Sequence, residues 1–405
     1  MDFDAVVVGA GPRERDGRGQ AVRARADDDR VEVHTALPLA AGGPRVNPYS
    51  AVMALSASVA HTPPTSGIAR MLPITGRATT RRHPAQHIGA SRAGSFPPGD
   101  IAQFIPNDRD AVALKLGDRV VHLTNLRKVY FPERGHTKGD LLRYYATVAP
   151  ALLPHLRNRA MVMRRYPNGI HGESFFMKRV PAGHPKWIEL CSITHGSGNV
   201  IDFPMVQDLL SLLWVVNLGC IDLNQWYARC DNVDRPDCLH FDLDPGTQAT
   251  FEQVRTVTLA VHRALDSLGL PNFAKTSGSR GMHVYVPIVR GPEQKAVWRF
   301  AKAFSFAVAA KESLATAEYR VSRRPADRVL IDYNQNAWGR TLASVYSVRP
   351  QREASVSTPV TWEEVQHVEV ADFRMDNVPD RLRTHGDLWK PMLKERGRAR
   401  LPDSP

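Results

Sequence analysis

The chain of 405 residues changes character at about residue 108, and that break bounds how much of it can fold. Between Ala41 and Gly99 there is no Asp or Glu, and Pro, Ala, Gly, Ser and Thr dominate. Up to Asp108 arginine stands wherever a lysine could; the first lysine is Lys115. Such a stretch cannot bury enough apolar surface to offset its ordering entropy, so residues 35–108 are expected to be disordered. The expected organisation is a low-complexity, mostly disordered leader over 1–108, a folded domain over 109–392 and a disordered tail over 393–405.

Inside the leader, Val6-Val7-Val8-Gly9-Ala10-Gly11 looks like the strand and first glycines of a dinucleotide-binding turn. That motif needs a third small residue and an apolar helix, and Arg13-Glu14-Arg15-Asp16 stands there instead. The fragment reads as a truncated or mistranslated leader, and a flavin or nicotinamide site is set aside. Beyond Asp108 the text is globular. Val112–Thr124 alternates like paired strands around Gly117-Asp118. Thr137 opens a helix through about Leu156, with Asp140 in a capping-box position. Further helices are expected at 206–219, 250–268 and 293–316, and strands at 160–165, 239–244, 282–289 and 328–333. Strands mixed with helices without strict alternation predict an α+β fold.

The formal charge of +12 brings polyanions forward as partners. No apolar run reaches the ~18 residues of a membrane span, and no secretory signal is evident, so no membrane partner and a cytoplasmic, nucleoid-associated protein are expected. Cys191, Cys220, Cys230 and Cys238 form no CxxC pair and read as reduced core or incidental residues.

The strongest local signal is Leu239-His240-Phe241-Asp242-Leu243-Asp244-Pro245-Gly246. On a strand, Asp242 and Asp244 share one face while Leu239, Phe241 and Leu243 pack on the other. Two adjacent carboxylates repel unless a cation lies between them, and oxygen ligands suit Mg²⁺ or Mn²⁺. A solvated strand end has the same composition. Arg328–Tyr333 supplies a third acid, Asp332, at the end of a buried-type strand, where a strand-end cap is the competing reading. If the strands are neighbours, the three acids complete a two-metal site.

Between them, Thr276-Ser277-Gly278-Ser279-Arg280-Gly281-Met282-His283 combines backbone amides, hydroxyls and a guanidinium suited to phosphate oxygens. A Ser/Gly-rich hairpin turn is the plain alternative. Upstream, Lys138 falls in the first turn of a helix, where a cation opposes the dipole unless an anion is bound; a solvated lysine reads equally well. Met163–Gly169 and Phe175-Phe176-Met177-Lys178 interleave basic and aromatic groups suited to nucleic acid, although adjacent phenylalanines are more often core.

In order, from about Val112 to Trp389, these segments resemble the polymerase domain of bacterial ligase D, in the archaeo-eukaryotic primase superfamily. The resemblance is carried by Thr124–Val129, Tyr166–Gly169, Phe175–Lys178, Phe241–Gly246, Thr276–His283, Asp332–Asn336 and Tyr346–Arg349, with Val360–Val365 and Arg381–Trp389 following. It implies a primase-polymerase core of mixed β-sheets flanked by helices. It further implies a template-directed nucleotidyltransferase that fills short gaps or processes broken ends in DNA repair, favours ribonucleotides and uses two Mn²⁺ or Mg²⁺ ions. Asp242, Asp244 and Asp332 match its metal-binding acids. Ser277, Arg280, His283 and Arg349, with Gln335 and Arg340 nearby, match the triphosphate positions. Asn125, Lys128 and Lys138 match the pocket for a downstream 5′-phosphate, and Arg165, Phe175, Phe176 and Lys178 the template contacts. The implied partners are gapped or broken DNA, nucleoside triphosphates, Ku and a separate DNA ligase, since no Lys-x-Asp-Gly motif occurs. Asn224 stands where the family has a histidine near the sugar, and Arg280 replaces a common lysine with a different donor geometry. A non-catalytic DNA-end binding module that recruits repair partners is the alternative function.

Overall fold

A computed structural model describes residues 99–401 and, before them, the backbone of three short strands, Arg25–Asp27, Arg30–Glu32 and Gln86–His87. The chain divides into a unit Met1–Ala78, described only through the antiparallel pair Arg25–Asp27 with Arg30–Glu32, and a unit Thr79–Pro405. The Val6–Gly11 fragment and most of the expected leader lie outside the described residues.

In the second unit, β1 (Ala111–Leu116) and β2 (Arg119–Thr124) form the expected hairpin. Helix α1 (Lys138–Leu156) follows, capped by Thr137 and Asp140 as the sequence predicts. Next come β3 (Met161–Arg165), β4 (Phe175–Met177) and a hairpin of β5 (Leu190–Thr194) with β6 (Val200–Pro204). Helix α2 (Leu209–Asn217), β7 (Cys220–Trp226), β8 (Cys238–Pro245) and α3 (Phe251–Ser267) continue the chain. Strands β9 (Phe273–Thr276) and β10 (Met282–Pro287) precede α4 (Gln294–Ala309). The short strands β11 (Ala315–Thr316), β12 (Val329–Asp332), β13 (Thr341–Ala343) and β14 (Pro359–Val360) complete the sheets.

Two sheets frame the site. One is four-stranded in the order β13-β7-β3-β4, the other six-stranded in the order β11-β12-β8-β10-β9-β14. Every pairing in both is antiparallel except β11 with β12. On β8, Leu239, Phe241 and Leu243 are fully buried on one face, where Phe241 meets Phe304 of α4 with ring centroids 4.7 Å apart. Helix α3 buries Val254, Val257, Val261 and Leu265, a 3.6-residue stripe. Helices therefore cover one face of the large sheet and leave the acidic face to the chemistry.

Four expectations are corrected. Ile101 and Ile105 are buried, and Arg143 donates to the Ile105 carbonyl at 2.9 Å, so residues before 109 already pack into the folded body. The tail is not disordered from 393: Ala399 bonds Pro287 and Val289 alongside β10, and Arg398 donates to the Asp237 carbonyl at 2.7 Å. Helix α4 ends at Ala309 instead of 316, because Ala315 and Thr316 leave it to pair with Val329 and Leu330. Cys191 and Cys230 are bonded, with Cα atoms 5.7 Å apart, whereas Cys220 and Cys238 are free and buried. A spacing of 39 residues gives no hint that the fold brings β5 beside the loop after β7.

Candidate active site

The central strand β8 carries Asp242 and Asp244 on its helix-free face. Asp242 stands directly opposite Asp332 of β12 on one side and His283 of β10 on the other. Directly opposite residues of an antiparallel pair share a face, with Cβ atoms roughly 4.5–5.5 Å apart. The third acid is thus brought to the other two by register. Asp242 and Asp332 are buried and Asp244 half-buried. All three carboxyls are held above the usual carboxylate range. For Asp244 the leading cause is the charge of Asp242; for Asp242 and Asp332 it is burial, reinforced at Asp332 by Asp242. Arg280 and Arg324 pull Asp244 the other way.

Gln335 donates from Nε2 to Asp332 at 3.0 Å and the Asn334 amide does so at 2.8 Å, while His283 Nε2 lies 3.1 Å from Asp242 Oδ1. No three Asp, Glu, His or Cys side chains are arranged as a ligating group among the described residues. The donor set nevertheless fits a divalent cation. Three oxygen ligands on one face oppose one another's ionisation, and a cation relieves that opposition.

The Ser/Gly segment is the β9–β10 turn, at the end of the sheet next to the acids. Ser277 Oγ accepts from the amides of Ser279 and Gly281, both at 3.1 Å, which folds the turn tightly. Gly281 passes so close to β8 that a Cβ would sit 2.2 Å from the Leu243 carbonyl oxygen. Gly278 has φ +69°, and its Cβ would meet Arg349 Cγ at 2.6 Å. Both positions need glycine. Arg349 donates to the Ser277 carbonyl at 3.2 Å, and Arg280 is exposed beside them. Gln335 and Arg340 are half-buried after β12.

Sequence reasoning missed two buried charges here. Asp222 of β7 lies 3.7 Å from Arg349 Nε, and both Asp222 Oδ1 and that Nε are buried without a hydrogen-bond partner. Its only signal was an acid inside the apolar Ile221–Trp226 strand. The other is Lys275 of β9, fully buried against His283. Asn224 is buried two residues beyond Asp222 on the same face and donates to the Asp222 carbonyl at 3.1 Å.

Asn125, Lys128 and Lys138 are brought together. Asn125 takes φ +55°, its carbonyl accepts from the Lys128 amide, and the Lys128 carbonyl accepts from the Lys138 amide at 2.8 Å. Lys128 Nζ donates to Asn168 at 2.6 Å and Lys138 Nζ to the Thr124 carbonyl at 2.7 Å. Burial, then the neighbouring Lys128 charge, pushes Lys138 down to about 8. On the edge strand β4, Phe175 and Phe176 are 44% and 60% exposed, not core. The Arg165 and Arg164 guanidinia lie 5.3 and 5.4 Å from their ring centroids, and Lys178 is exposed just beyond.

The chain is similar to known proteins. The family model for the LigD primase-polymerase domain matches residues 137–389. The multifunctional non-homologous end joining protein LigD of Mycolicibacterium smegmatis is 33% identical over 275 residues, 67% of this chain and 36% of that protein. The bifunctional non-homologous end joining protein LigD of Bacillus subtilis is 31% identical over 272 residues, 66% of this chain and 43% of that protein. The match therefore spans well under half the length of these curated relatives. A solved structure, the polymerase domain from Mycobacterium tuberculosis ligase D in complex with DNA, aligns with a TM-score of 0.64 at 29% identity, over 68% of this chain and 98% of that one.

Proposed function

The chain belongs to the LigD primase-polymerase family, and from that footing we propose that it is a template-directed nucleotidyltransferase acting on gapped or broken DNA in end-joining repair. The observation that carries the reading is the placement of Asp242, Asp244 and Asp332 on one sheet face beside the β9–β10 turn. These three acids would hold two Mn²⁺ or Mg²⁺ ions. Bound there, the ions would activate a primer hydroxyl and neutralise the triphosphate.

The protein's own groups do the rest. The Gly278 and Arg280 amides and the Ser277 side chain of the turn, with the Arg280 guanidinium, His283, Gln335, Arg340 and Arg349, seat and orient the triphosphate. Buried charges Asp222 and Arg349, each with an unmet hydrogen-bond atom, suit a polar ligand entering between the two sheets. Lys128, Lys138 and Asn125 grip a 5′-phosphate on the downstream strand, so that a phosphorylated gap is preferred over a plain primer-template. Exposed Phe175 and Phe176, with Arg165 and Lys178, offer stacking faces and cations to the template, each stacked base contributing about 1–3 kcal/mol. Ribonucleotides are the favoured substrates. Ku and a DNA ligase are the partner classes such a role calls for, the ligase to seal the nick left by gap filling.

Extension of a labelled primer across a short gap tests this, with ribo- and deoxyribonucleoside triphosphates compared and Mn²⁺ or Mg²⁺ supplied. The expected result is templated addition that is faster when the downstream strand carries a 5′-phosphate. Tight binding of the gap without any addition would favour the non-catalytic DNA-end module.

A further inference from the structure

The ladder between β7 and β13 ends at Asn224 opposite Ala343. Beyond that pair, side-chain hydroxyls help to join the two segments. The Leu223 carbonyl accepts from the Ser344 amide at 2.8 Å, and the Leu223 amide donates to Ser347 Oγ at 3.0 Å. From α1, the Tyr145 hydroxyl donates to the Ile221 carbonyl at 2.8 Å and accepts from the Val348 amide at 3.0 Å. Asp222 lies between Ile221 and Leu223, and Arg349 follows Val348. These bonds therefore set one buried charge against the other.

The arrangement is costly. Tyr346 has φ +59°, a left-handed conformation that a bulky side chain rarely adopts. Three hydrogen bonds hold it there. Its amide donates to the Ser357 carbonyl at 2.7 Å, its carbonyl accepts from the Tyr144 hydroxyl at 2.9 Å, and its own hydroxyl donates to Asp387 at 2.8 Å. Strain imposed so firmly belongs to sites where it serves a purpose, and Arg349 is three residues on. The ion pair adds to the cost. Asp222 Oδ2 lies 3.7 Å from Arg349 Nε without a hydrogen bond, and both Nε and Asp222 Oδ1 are buried and unmet. Arg164, opposite Asp222 on β3, turns instead to the Tyr166 and Phe176 rings, 5.3 and 5.4 Å from its guanidinium.

A guanidinium carries five N–H donors in one rigid plane. Arg349 Nη1 donates to the Ser277 carbonyl at 3.2 Å, and its Nε side faces Asp222. Held on those two sides, it has Nη2 and the second Nη1 hydrogen left, a two-pronged edge suited to phosphate oxygens. We propose that Asp222 is a positioning residue for nucleotidyl transfer: it holds the Nε side of Arg349, so that the guanidinium presents its Nη edge to the triphosphate of an incoming nucleotide. The proposal rests on the polymerase reading for its consequence, whereas the placement of the guanidinium is independent of activity.

Crystal structures of the natural full chain and of Asp222→Asn test it, together with gap-filling kinetics and calorimetric binding of inorganic tripolyphosphate with Mg²⁺. In the variant the Arg349 guanidinium should leave the Ser277 carbonyl or lose its fixed orientation. A displacement of about 1 Å should lower kcat by roughly 10–100-fold. Tripolyphosphate should bind no more weakly, because the variant removes a negative charge and keeps every donor. An unmoved guanidinium, an unchanged kcat, or a tripolyphosphate affinity that falls in step with kcat would each overturn the proposal. If Asp222→Asn does not fold, the natural protein crystallised with tripolyphosphate decides. Arg349 must then keep Nε against Asp222 while its Nη groups meet phosphate; a guanidinium turned away from Asp222 refutes the assignment. A natural protein that adds no nucleotide defeats the polymerase reading instead, and the crystal structures still judge the placement.

Discussion

Lys138 opens α1 as a buried cation at the positive end of the helix dipole, beside a second lysine. Each of these features disfavours its charge, and each is relieved by an anion. With the lysine held at about 8, it is charged below that pH and neutral above it. Affinity for a 5′-phosphate should therefore be full at neutral pH and fall as pH rises through about 8. The advantage of a phosphorylated gap over an unphosphorylated one, measured from pH 6.5 to 9.5, should shrink above pH 8 in the natural protein. In Lys128→Ala/Lys138→Ala the advantage should be absent throughout; an undiminished preference in that variant contradicts the pocket. Asn224 poses a separate single-residue question. It is buried on β7, and the proposed function puts it on the sugar side of the nucleotide, where the resemblance implies a histidine. Asn224→His should increase the ratio of ribo- to deoxyribonucleotide incorporation severalfold, and single-turnover incorporation assays with both substrates would register an unchanged ratio as failure.

At the scale of elements, the acid strands announced themselves. Alternation on 239–244 separated the packing residues from the carboxylates, and the aliphatic run ending in Asp332 marked a second buried strand. Register between them was not visible, because local pattern carries no information about which strands pair. The same limit hid Lys275: a lysine between Ala274 and Thr276 looks solvent-exposed until β10 and β14 enclose it. Phe175 and Phe176 misled in the opposite direction, since adjacent aromatics suggest core and only an edge strand leaves both exposed. The disulfide and the ordered 393–401 segment likewise depend on contacts between distant elements. One such contact also governs stability. Asp237, before β8, accepts two 2.7 Å hydrogen bonds from Arg159 beyond α1 and one of 2.9 Å from Arg229 after β7. Burial alone would raise its carboxyl, but Arg159 and Arg229 outweigh burial and hold it at about 2. Because the folded value lies below the unfolded one, near 4, the stabilisation is fully present above pH 4 and is lost as pH falls toward 2. Asp237→Asn leaves two guanidinia short of their buried counter-charge, and should destabilise the fold by about 3 kcal/mol at pH 7 while changing little at pH 2. Denaturant midpoints at the two pH values would show it, and equal losses at both would refute it.

At the scale of the whole unit, the two sheets divide the work. The large sheet carries the acids and the Ser/Gly turn proposed to seat the triphosphate, and the small one presents the exposed Phe175 and Phe176 at its outer edge and Asp222 and Asn224 on β7. The start of α1 adds the proposed anion pocket. Each part alone is ambiguous: an acid pair at a strand end, a serine-rich turn and a lysine at a helix start are common. Their conjunction in a chain that belongs to the LigD primase-polymerase family is what points to chemistry on a DNA gap. The central claim is that the acid face performs nucleotidyl transfer while separate surfaces hold the DNA. Gap filling and gap binding measured side by side for the natural protein, Asp242→Ala and Asp332→Ala test it most directly. The account predicts that both variants bind a 5′-phosphorylated gap within about threefold of the natural protein and add no detectable nucleotide. Continued extension by either variant would contradict it.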